Sequence, residues 1–370
     1  MTVPATSLLP GERPAVVLHV GMGKTGSTSI QGLLHRNRKR LADRGVLYPA
    51  TPGKRRHVRL GLAMQPADQG PGGSFDWRRQ PVSTPAELRP LLERELVAEL
   101  RAGGLPRALM SDEGLFASHD QVLHNMRDLL SRIANGVRVV VYLRRQDDHA
   151  ASRYQQAVKL GGEVRRLGEW LGPADFSRKY DYHAQLECWR TMVEPDELVV
   201  RVFEPGRFRG GSLAADFLTA AGLNIQPDDL EKATNRNESL DADSVEFLRL
   251  LNLYRQEQPG EIPGMLTLPR LAGRLMRASS GPTLTLPSHR LDTFMERWEA
   301  SNRAVARDFL PDGPASLFVK ARKSQGTTTE QCLDAARLDH LLDVAEIPTE
   351  LHEPLRRIAE REAARPADEA

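Results

Sequence analysis

Cysteine is scarce in this chain of 370 residues, which contains 2, Cys188 and Cys332. They lie far apart, and neither belongs to a cluster with the spacing of metal ligands. This scarcity argues against a disulfide-stabilised scaffold and against a zinc site, and it fits a reducing compartment. We therefore expect a cytoplasmic protein with no bound metal.

The chain also lacks an excess of one charge and a long apolar run. Its 51 Lys and Arg residues nearly balance 49 Asp and Glu residues, which gives a formal net charge of +2. Such a balance gives no global attraction to nucleic acid or to a membrane surface. No run approaches the roughly 18 apolar residues of a membrane span, and residues 1–14 lack the pattern of a secretory signal. We expect neither a nucleic-acid partner nor a membrane span.

The composition is that of a soluble globular protein, with 40% hydrophobic and 27% charged residues. This length can form one large domain or two ordinary ones, with a substantial core. The frequent use of Arg, Ala, Gly and Pro suggests a GC-rich bacterial genome.

Short apolar runs alternate with helical patterns over the first 240 residues, which predicts a parallel sheet with helices on both faces. The predicted strands are 15–20, 46–49, 107–111, 137–143 and 198–203. Residues 50–80 are rich in Gly, Pro and Arg and predict a long surface loop. Beyond residue 240 the patterns are helical, at 241–256, 289–310, 332–343 and 351–364. We expect an α/β core over 1–240 and a helical part over 241–370 that packs on it within one continuous domain.

A Gly-rich turn joins the first predicted strand to a helix. In this arrangement backbone N–H groups at the helix start can bind phosphate. Glycines allow a tight turn and a close approach to an anion, and hydroxyl side chains add donors. The predicted anion ligands are Gly23, Lys24, Thr25, Gly26, Ser27, Thr28 and Ser29.

This turn departs from the ordinary phosphate loop, G-x-x-x-x-G-K-[ST], in the position of its lysine. Gly21 and Gly26 fit the two glycines, and Thr28 fits the final hydroxyl residue. Ser27 stands where lysine belongs, and Lys24 lies three places earlier.

A second predicted anion contact follows the strongest strand pattern, which ends at Leu143. Arg144 stands at the carboxyl end of that strand, and Ser152 lies two turns into the next helix. An arginine supplies a planar fork of donors that suits phosphate, and a serine adds a hydroxyl.

The stretch 24–30 resembles the 5′-phosphosulfate loop of the sulfotransferases that use 3′-phosphoadenosine 5′-phosphosulfate (PAPS). Tyr142-Leu143-Arg144, with Ser152 eight residues after the arginine, resembles their 3′-phosphate segment. The resemblance implies a fold like that of the P-loop NTPases, with the predicted loop on the 5′-phosphosulfate and Arg144 and Ser152 on the 3′-phosphate. The residues 145–147 differ from the Asn-Pro of cytosolic animal members, which places the chain nearer to bacterial carbohydrate-type members.

Sulfuryl transfer to an alcohol needs a base for the acceptor hydroxyl and a cation for the leaving oxygen. Lys24 is the predicted cation. Glu113, which follows the strand 107–111, is the preferred base, with His57 second and His119 third. No metal is required by this scheme. The acceptor is expected to be a carbohydrate or another small hydroxylated metabolite, for which the basic and aromatic stretch 50–80 is a candidate platform.

Two other functions stay open at this point. Asp112 and Glu113 after an apolar strand also resemble the metal-binding pair of an ATP- or GTP-dependent P-loop kinase or NTPase. Ser27 at the lysine position and the Arg144–Ser152 pair argue against that function. The other open function is that of a catalytically inactive binding module, and the presence of Lys24 argues against it.

Overall fold

The computed structural model of the chain describes residues 7–69, 76–160, 162–172, 177–232, 239–258, 268–322, 324 and 329–365. Its sheet has five parallel strands in the order β2-β3-β1-β4-β5. The strands are β1 Ala15–His19, β2 Val46–Leu47, β3 Arg107–Ser111, β4 Gly136–Leu143 and β5 Glu197–Val202. The predicted α/β fold with a parallel sheet and flanking helices is confirmed.

Sixteen α-helices are assigned in the described part of the chain. They are α1 Ser27–Arg36, α2 Arg38–Ala42, α3 Val58–Ala63, α4 Pro85–Gly103, α5 Asp120–Ile133, α6 Gln146–Lys159, α7 Leu167–Leu171, α8 Ser177–Tyr180, α9 Tyr182–Cys188, α10 Leu213–Ala220, α11 Ala242–Glu257, α12 Leu268–Ala278, α13 Ser288–Glu296, α14 Glu299–Phe309, α15 Ala335–Ala345 and α16 His352–Ala363. A π-helical turn, Trp189–Val193, extends α9. The sequence patterns had indicated neither α7 nor α12.

Local sequence explains where α4 begins and ends. The Thr84 hydroxyl accepts a hydrogen bond from the Glu87 backbone N–H at 3.3 Å, and the Glu87 carboxylate accepts one from the Thr84 N–H at 3.2 Å. These reciprocal bonds satisfy donors that a helix start leaves without partners. Gly104, with a φ of 57°, ends the helix in the left-handed conformation that glycine adopts at little cost.

The face of the sheet that carries α1 and α10 holds a continuous apolar core. Ile30 and Leu34 of α1 and Phe217 of α10 are buried in one cluster with Val140 and Tyr142 of β4. Complete burial of such an aliphatic or aromatic side chain contributes roughly 1.5–3 kcal/mol. This packing fixes the start of α1 relative to the carboxyl end of β1.

The strand order places three carboxyl ends side by side at the middle of the sheet. β1 pairs with β3 on one side and with β4 on the other. The chain leaves β1 toward β2 and leaves β4 toward β5, so the connections diverge between β1 and β4. Open parallel sheets bind ligands beyond the carboxyl ends at such a point.

The chain divides into two compact units. The expected division at residue 240 stays a prediction. The first unit is Met1–Arg144, Ser177–Asn235 and Ala300–Val319, and it contains all five strands. The second unit is Arg145–Phe176, Arg236–Glu299 and Lys320–Ala370, and its described elements are helices. Because α6 and α7 belong to the second unit, that unit draws on chain from before residue 240.

A buried ion cluster joins α11 to α16 inside the second unit. Arg249 is 0% exposed and donates to Glu246 at 2.6 and 2.8 Å and to Glu362 at 2.9 Å. A charge taken out of water is tolerated only when it is paired and hydrogen-bonded. Both carboxylates are therefore needed to keep Arg249 in this interior.

Candidate functional site

The loop that follows β1 reverses the chain through two residues with positive φ. Lys24 has a φ of 68°, and Gly26, the residue before α1, has a φ of 76°. A Cβ on Gly26 would also clash with the Leu213 side chain, but it is the positive φ that favours glycine there. Lys24 adopts the same conformation with a side chain, which costs roughly 1–2 kcal/mol.

The hydroxyl residues of the loop fall into two groups. The Thr25 and Ser27 side chains are buried, and both donate to the Met22 carbonyl oxygen, the Ser27 bond being 3.1 Å long. Thr28 is exposed and Ser29 is half-buried at the start of α1. The first pair therefore braces the loop, whereas the second pair faces outward at the helix N-terminus.

Arg144 lies against this loop. It follows β4, and its Nη1 donates to the Lys24 carbonyl oxygen at 2.9 Å. Its own carbonyl oxygen accepts a hydrogen bond from the Tyr182 hydroxyl at 2.6 Å. The Arg144 guanidinium thus contacts the backbone of Lys24, the other residue predicted to bind the donor. Ser152 is a half-buried residue of α6 in the second unit, and its role stays a prediction.

Glu113 follows β3 and borders the same loop. Its Cγ lies 3.9 Å from the position that a Cβ on Gly23 would occupy. One carboxylate oxygen, Oε2, accepts a hydrogen bond from Gln31 Nε2, and the other, Oε1, lies 3.9 Å from Arg56 Nε. The side chain is 22% exposed, so a ligand at the loop could contact the carboxylate.

Asp112 is held by the protein itself. Its Oδ1 accepts hydrogen bonds from Arg56 Nε at 2.8 Å and from the Gly114 N–H at 3.0 Å, and its Oδ2 accepts one from the Gly61 N–H at 3.3 Å. The residue is 1% exposed. A metal ion on this carboxylate would have to compete with all three donors.

His57 does not lie on an exposed loop, where the sequence had placed it. Its ring is buried, and Nδ1 accepts a hydrogen bond from the Ser111 N–H at 3.0 Å, while the His57 N–H donates to the Ser111 carbonyl at 2.9 Å. Burial lowers the pKa of His57 to about 3. His119, the third candidate base, is exposed at the residue before α5.

The stretch 50–80 was expected to be an irregular loop, and its described residues include α3 and a 3-10 turn, Trp77–Arg79. Arg55 donates to the Thr28 carbonyl at 2.8 Å, and Arg59 donates to Glu95 at 2.8 Å. These arginines bind groups of the protein, because backbone carbonyls and carboxylates lie within reach. Phe75, part of the expected aromatic platform, lies outside the described residues.

Three buried polar residues beside Glu113 had not been identified from the sequence. They are His19 at the end of β1, Gln31 in α1 and Ser111 at the end of β3. Each interrupts an apolar stretch at a position that faces the core. That interruption was the available signal, but it does not indicate which distant residues the three contact.

No protein-family model matches the chain. Over 187 residues the chain is 30% identical to an uncharacterized protein of Archaeoglobus fulgidus, with 49% of this chain and 48% of that protein covered. The match thus spans about half the length of that protein.

The crystal structure of a sulfotransferase from Alicyclobacillus acidocaldarius is similar with a TM-score of 0.38 and 15% identity. This similarity covers 66% of this chain and 94% of that chain.

Two further properties concern the described residues alone. None of the helices described is long and apolar enough to cross a membrane. Among the same residues, no group of three or more His, Cys, Asp or Glu side chains is placed so that it could hold a metal ion.

Proposed function

We propose that the protein is a sulfotransferase that moves a sulfuryl group from PAPS to a hydroxyl of a carbohydrate or another small metabolite. The observation that supports this most is the gathering of Lys24, Arg144 and Glu113 around one loop at the middle of the sheet. Two cations suit an anionic donor, and a carboxylate beside them suits an acceptor hydroxyl.

Each residue has a definite task in this proposal. Glu113 accepts the proton of the acceptor hydroxyl while the acceptor oxygen forms a bond to sulfur. The bond between sulfur and the bridging oxygen of the donor breaks, and 3′-phosphoadenosine 5′-phosphate leaves. Lys24 stabilises the charge that develops on that oxygen, and the N-terminus of α1 with Thr28 and Ser29 binds the 5′-phosphate.

Glu113 is the preferred base because of its position beside the loop. His57 is buried, its Nδ1 already accepts a hydrogen bond, and its low pKa makes the ring a poor proton acceptor near neutral pH. We therefore assign His57 to the packing of its segment against β3. Among the described residues, no hydrogen bond joins the His119 side chain to the loop, and its role stays a prediction.

A P-loop kinase or NTPase is the second candidate, because Asp112 and Glu113 directly follow β3 as a metal-binding pair would. The three hydrogen bonds that occupy Asp112 argue against this candidate. So does the absence of lysine from position 27. An inactive binding module is the third candidate, and only turnover distinguishes it from the first.

The binding of two nucleotides tests the donor site. If Arg144 binds the 3′-phosphate, Arg144→Ala should weaken 3′-phosphoadenosine 5′-phosphate about 10- to 100-fold, which corresponds to a lost charge-assisted hydrogen bond of roughly 1.5–3 kcal/mol. The affinity for 5′-AMP, which lacks that phosphate, should change far less. Isothermal titration calorimetry of both ligands measures this difference.

Arg55→Ala is the matched control. Arg55, like Arg144, donates to a backbone carbonyl of the segment 24–28, but it is not predicted to contact the 3′-phosphate. The variant should affect the two nucleotides equally. Equal weakening of both ligands by Arg144→Ala would assign Arg144 to the support of the loop and remove it from the 3′-phosphate site.

A further inference from the structure

A chain of buried polar groups runs from the end of β1 to Glu113. His19 Nδ1 lies 2.8 Å from Ser111 Oγ, and Ser111 Oγ lies 3.3 Å from Gln31 Nε2. The same Gln31 nitrogen donates to Glu113 Oε2. His19 and Ser111 are 0% exposed and Gln31 is 3% exposed, so water has little access to these three side chains.

The direction of these hydrogen bonds follows from the chemistry of the groups. A carboxylate only accepts hydrogen bonds, so the Gln31 amide must present its NH₂ group to Glu113. The same NH₂ group donates to Ser111 Oγ. Burial lowers the pKa of His19 to about 3, so its ring is neutral near pH 7 and the bond between His19 Nδ1 and Ser111 Oγ joins two neutral groups.

We propose that Gln31 is a positioning residue that holds Glu113 Oε2 and thereby directs Glu113 Oε1 to the acceptor hydroxyl. This inference rests on the proposed sulfotransferase function. Ser111 and His19 extend the effect, because they fix the Gln31 amide in the orientation that the carboxylate needs. Gln31 itself touches neither donor nor acceptor in this scheme.

The surroundings of Glu113 show why its carboxylate needs to be held. Arg56 Nε is only 3.9 Å from Oε1, and Arg56 already pairs with Asp112. Tyr48, whose pKa is raised by burial, also interacts electrostatically with this carboxylate, as it does with that of Asp112. This distance already makes a long ion pair, and without the Gln31 hydrogen bond the carboxylate is expected to move closer to Arg56 and tighten it. A tighter ion pair would withdraw the base from the acceptor.

Two substitutions at position 31 test the proposal through sulfuryl transfer from PAPS. Gln31→Met keeps a similar volume but donates no hydrogen bond, so kcat should fall about 10- to 100-fold at every pH. The affinity for 3′-phosphoadenosine 5′-phosphate should stay within about twofold of the wild type, because Gln31 does not contact the donor.

Gln31→Glu separates positioning from packing. At acid pH the introduced carboxyl group is protonated and can donate to Glu113, so turnover should approach the wild-type value. As pH rises, two carboxylates face each other and turnover should collapse. A side chain that only fills space would give no such acid-dependent rescue.

The outcomes are distinct. A wild-type protein that transfers no sulfuryl group overturns both the function and the role of Gln31. With an active wild type, an unchanged kcat in Gln31→Met, or a Gln31→Glu variant without acid rescue, overturns the role of Gln31 alone. If Gln31→Met fails to fold, the pH profile of Gln31→Glu decides by itself.

Discussion

Lys24 combines a charged side chain with a backbone conformation that favours glycine. Its φ of 68° places it in the left-handed region, and its carbonyl oxygen accepts the hydrogen bond from Arg144. This conformation costs an L-residue roughly 1–2 kcal/mol, and glycine adopts it without that cost. Retention of a lysine at such a cost fits a role for its ammonium group in the reaction, since non-glycine residues in strained conformations cluster at functional sites.

Two variants of Lys24 separate the backbone from the ammonium group. Both Lys24→Ala and Lys24→Gly should lower kcat on the order of 10²–10³, because either variant removes one preorganised stabilising cation. Lys24→Gly should be more stable than Lys24→Ala by about 1 kcal/mol, since only glycine relieves the left-handed conformation. Urea unfolding and turnover of PAPS measure the two effects. Near-normal turnover in either folded variant would exclude Lys24 from the mechanism.

At the scale of elements, the carboxyl end of β3 organises the site. Ser111 binds His57 through both its N–H and its carbonyl group, and its hydroxyl contacts His19 and Gln31. Asp112 then anchors α3 through the Gly61 N–H. The segment before α3 and the helix α1 both form hydrogen bonds to this strand end. These bonds fix the position of the backbone that carries Glu113.

The burial of His57 predicts how stability depends on pH. The pKa of His57 is lowered to about 3 in the folded protein, whereas an unfolded histidine titrates near ~6.5. Between these values the unfolded state binds the proton and the folded state does not, so the free energy of unfolding must fall as pH falls. The slope from one such histidine is about 1.4 kcal/mol per pH unit.

His57→Asn tests this at the same position. Its side-chain oxygen can still accept the Ser111 N–H but does not titrate. Between pH 6.5 and 4.5 the free energy of unfolding, measured with urea, should therefore fall less steeply with pH in the variant than in the wild type. The difference between the two slopes should correspond to about one proton. His19 still titrates in this variant, because burial lowers its pKa in the same way. Identical slopes for variant and wild type would show that His57 is not buried in its neutral form.

At the scale of the whole molecule, the sheet and the loop could be predicted because their signals are local. Each strand is a short apolar run, and the glycines around Lys24 stand at fixed spacings. The contacts that complete the site join residues far apart in the chain: Gln31 and Glu113 are 82 positions apart, and His57 and Ser111 are 54 apart. The hydrophobic periodicity of the sequence does not indicate which of these distant residues contact each other.

Contacts within the second unit also join residues far apart in the chain. α6 follows β4 without a linker of distinct composition, yet it binds partners that come much later in the chain. Gln155 donates to the Leu240 carbonyl at 3.1 Å, and Asn252 donates to the Val158 carbonyl at 3.0 Å. The second unit consists of three separate segments of the chain, so no single change in composition along the sequence indicates where it begins.

The most direct test of the central claim is a turnover assay of the full chain. Wild-type protein is mixed with sulfur-labelled PAPS, a panel of hydroxylated acceptors and excess EDTA, and a parallel sample receives ATP and Mg²⁺ without an acceptor. We expect label on at least one acceptor, loss of that transfer in Lys24→Ala, and no hydrolysis of ATP. Metal-dependent hydrolysis of ATP together with no sulfuryl transfer to any acceptor would contradict the account.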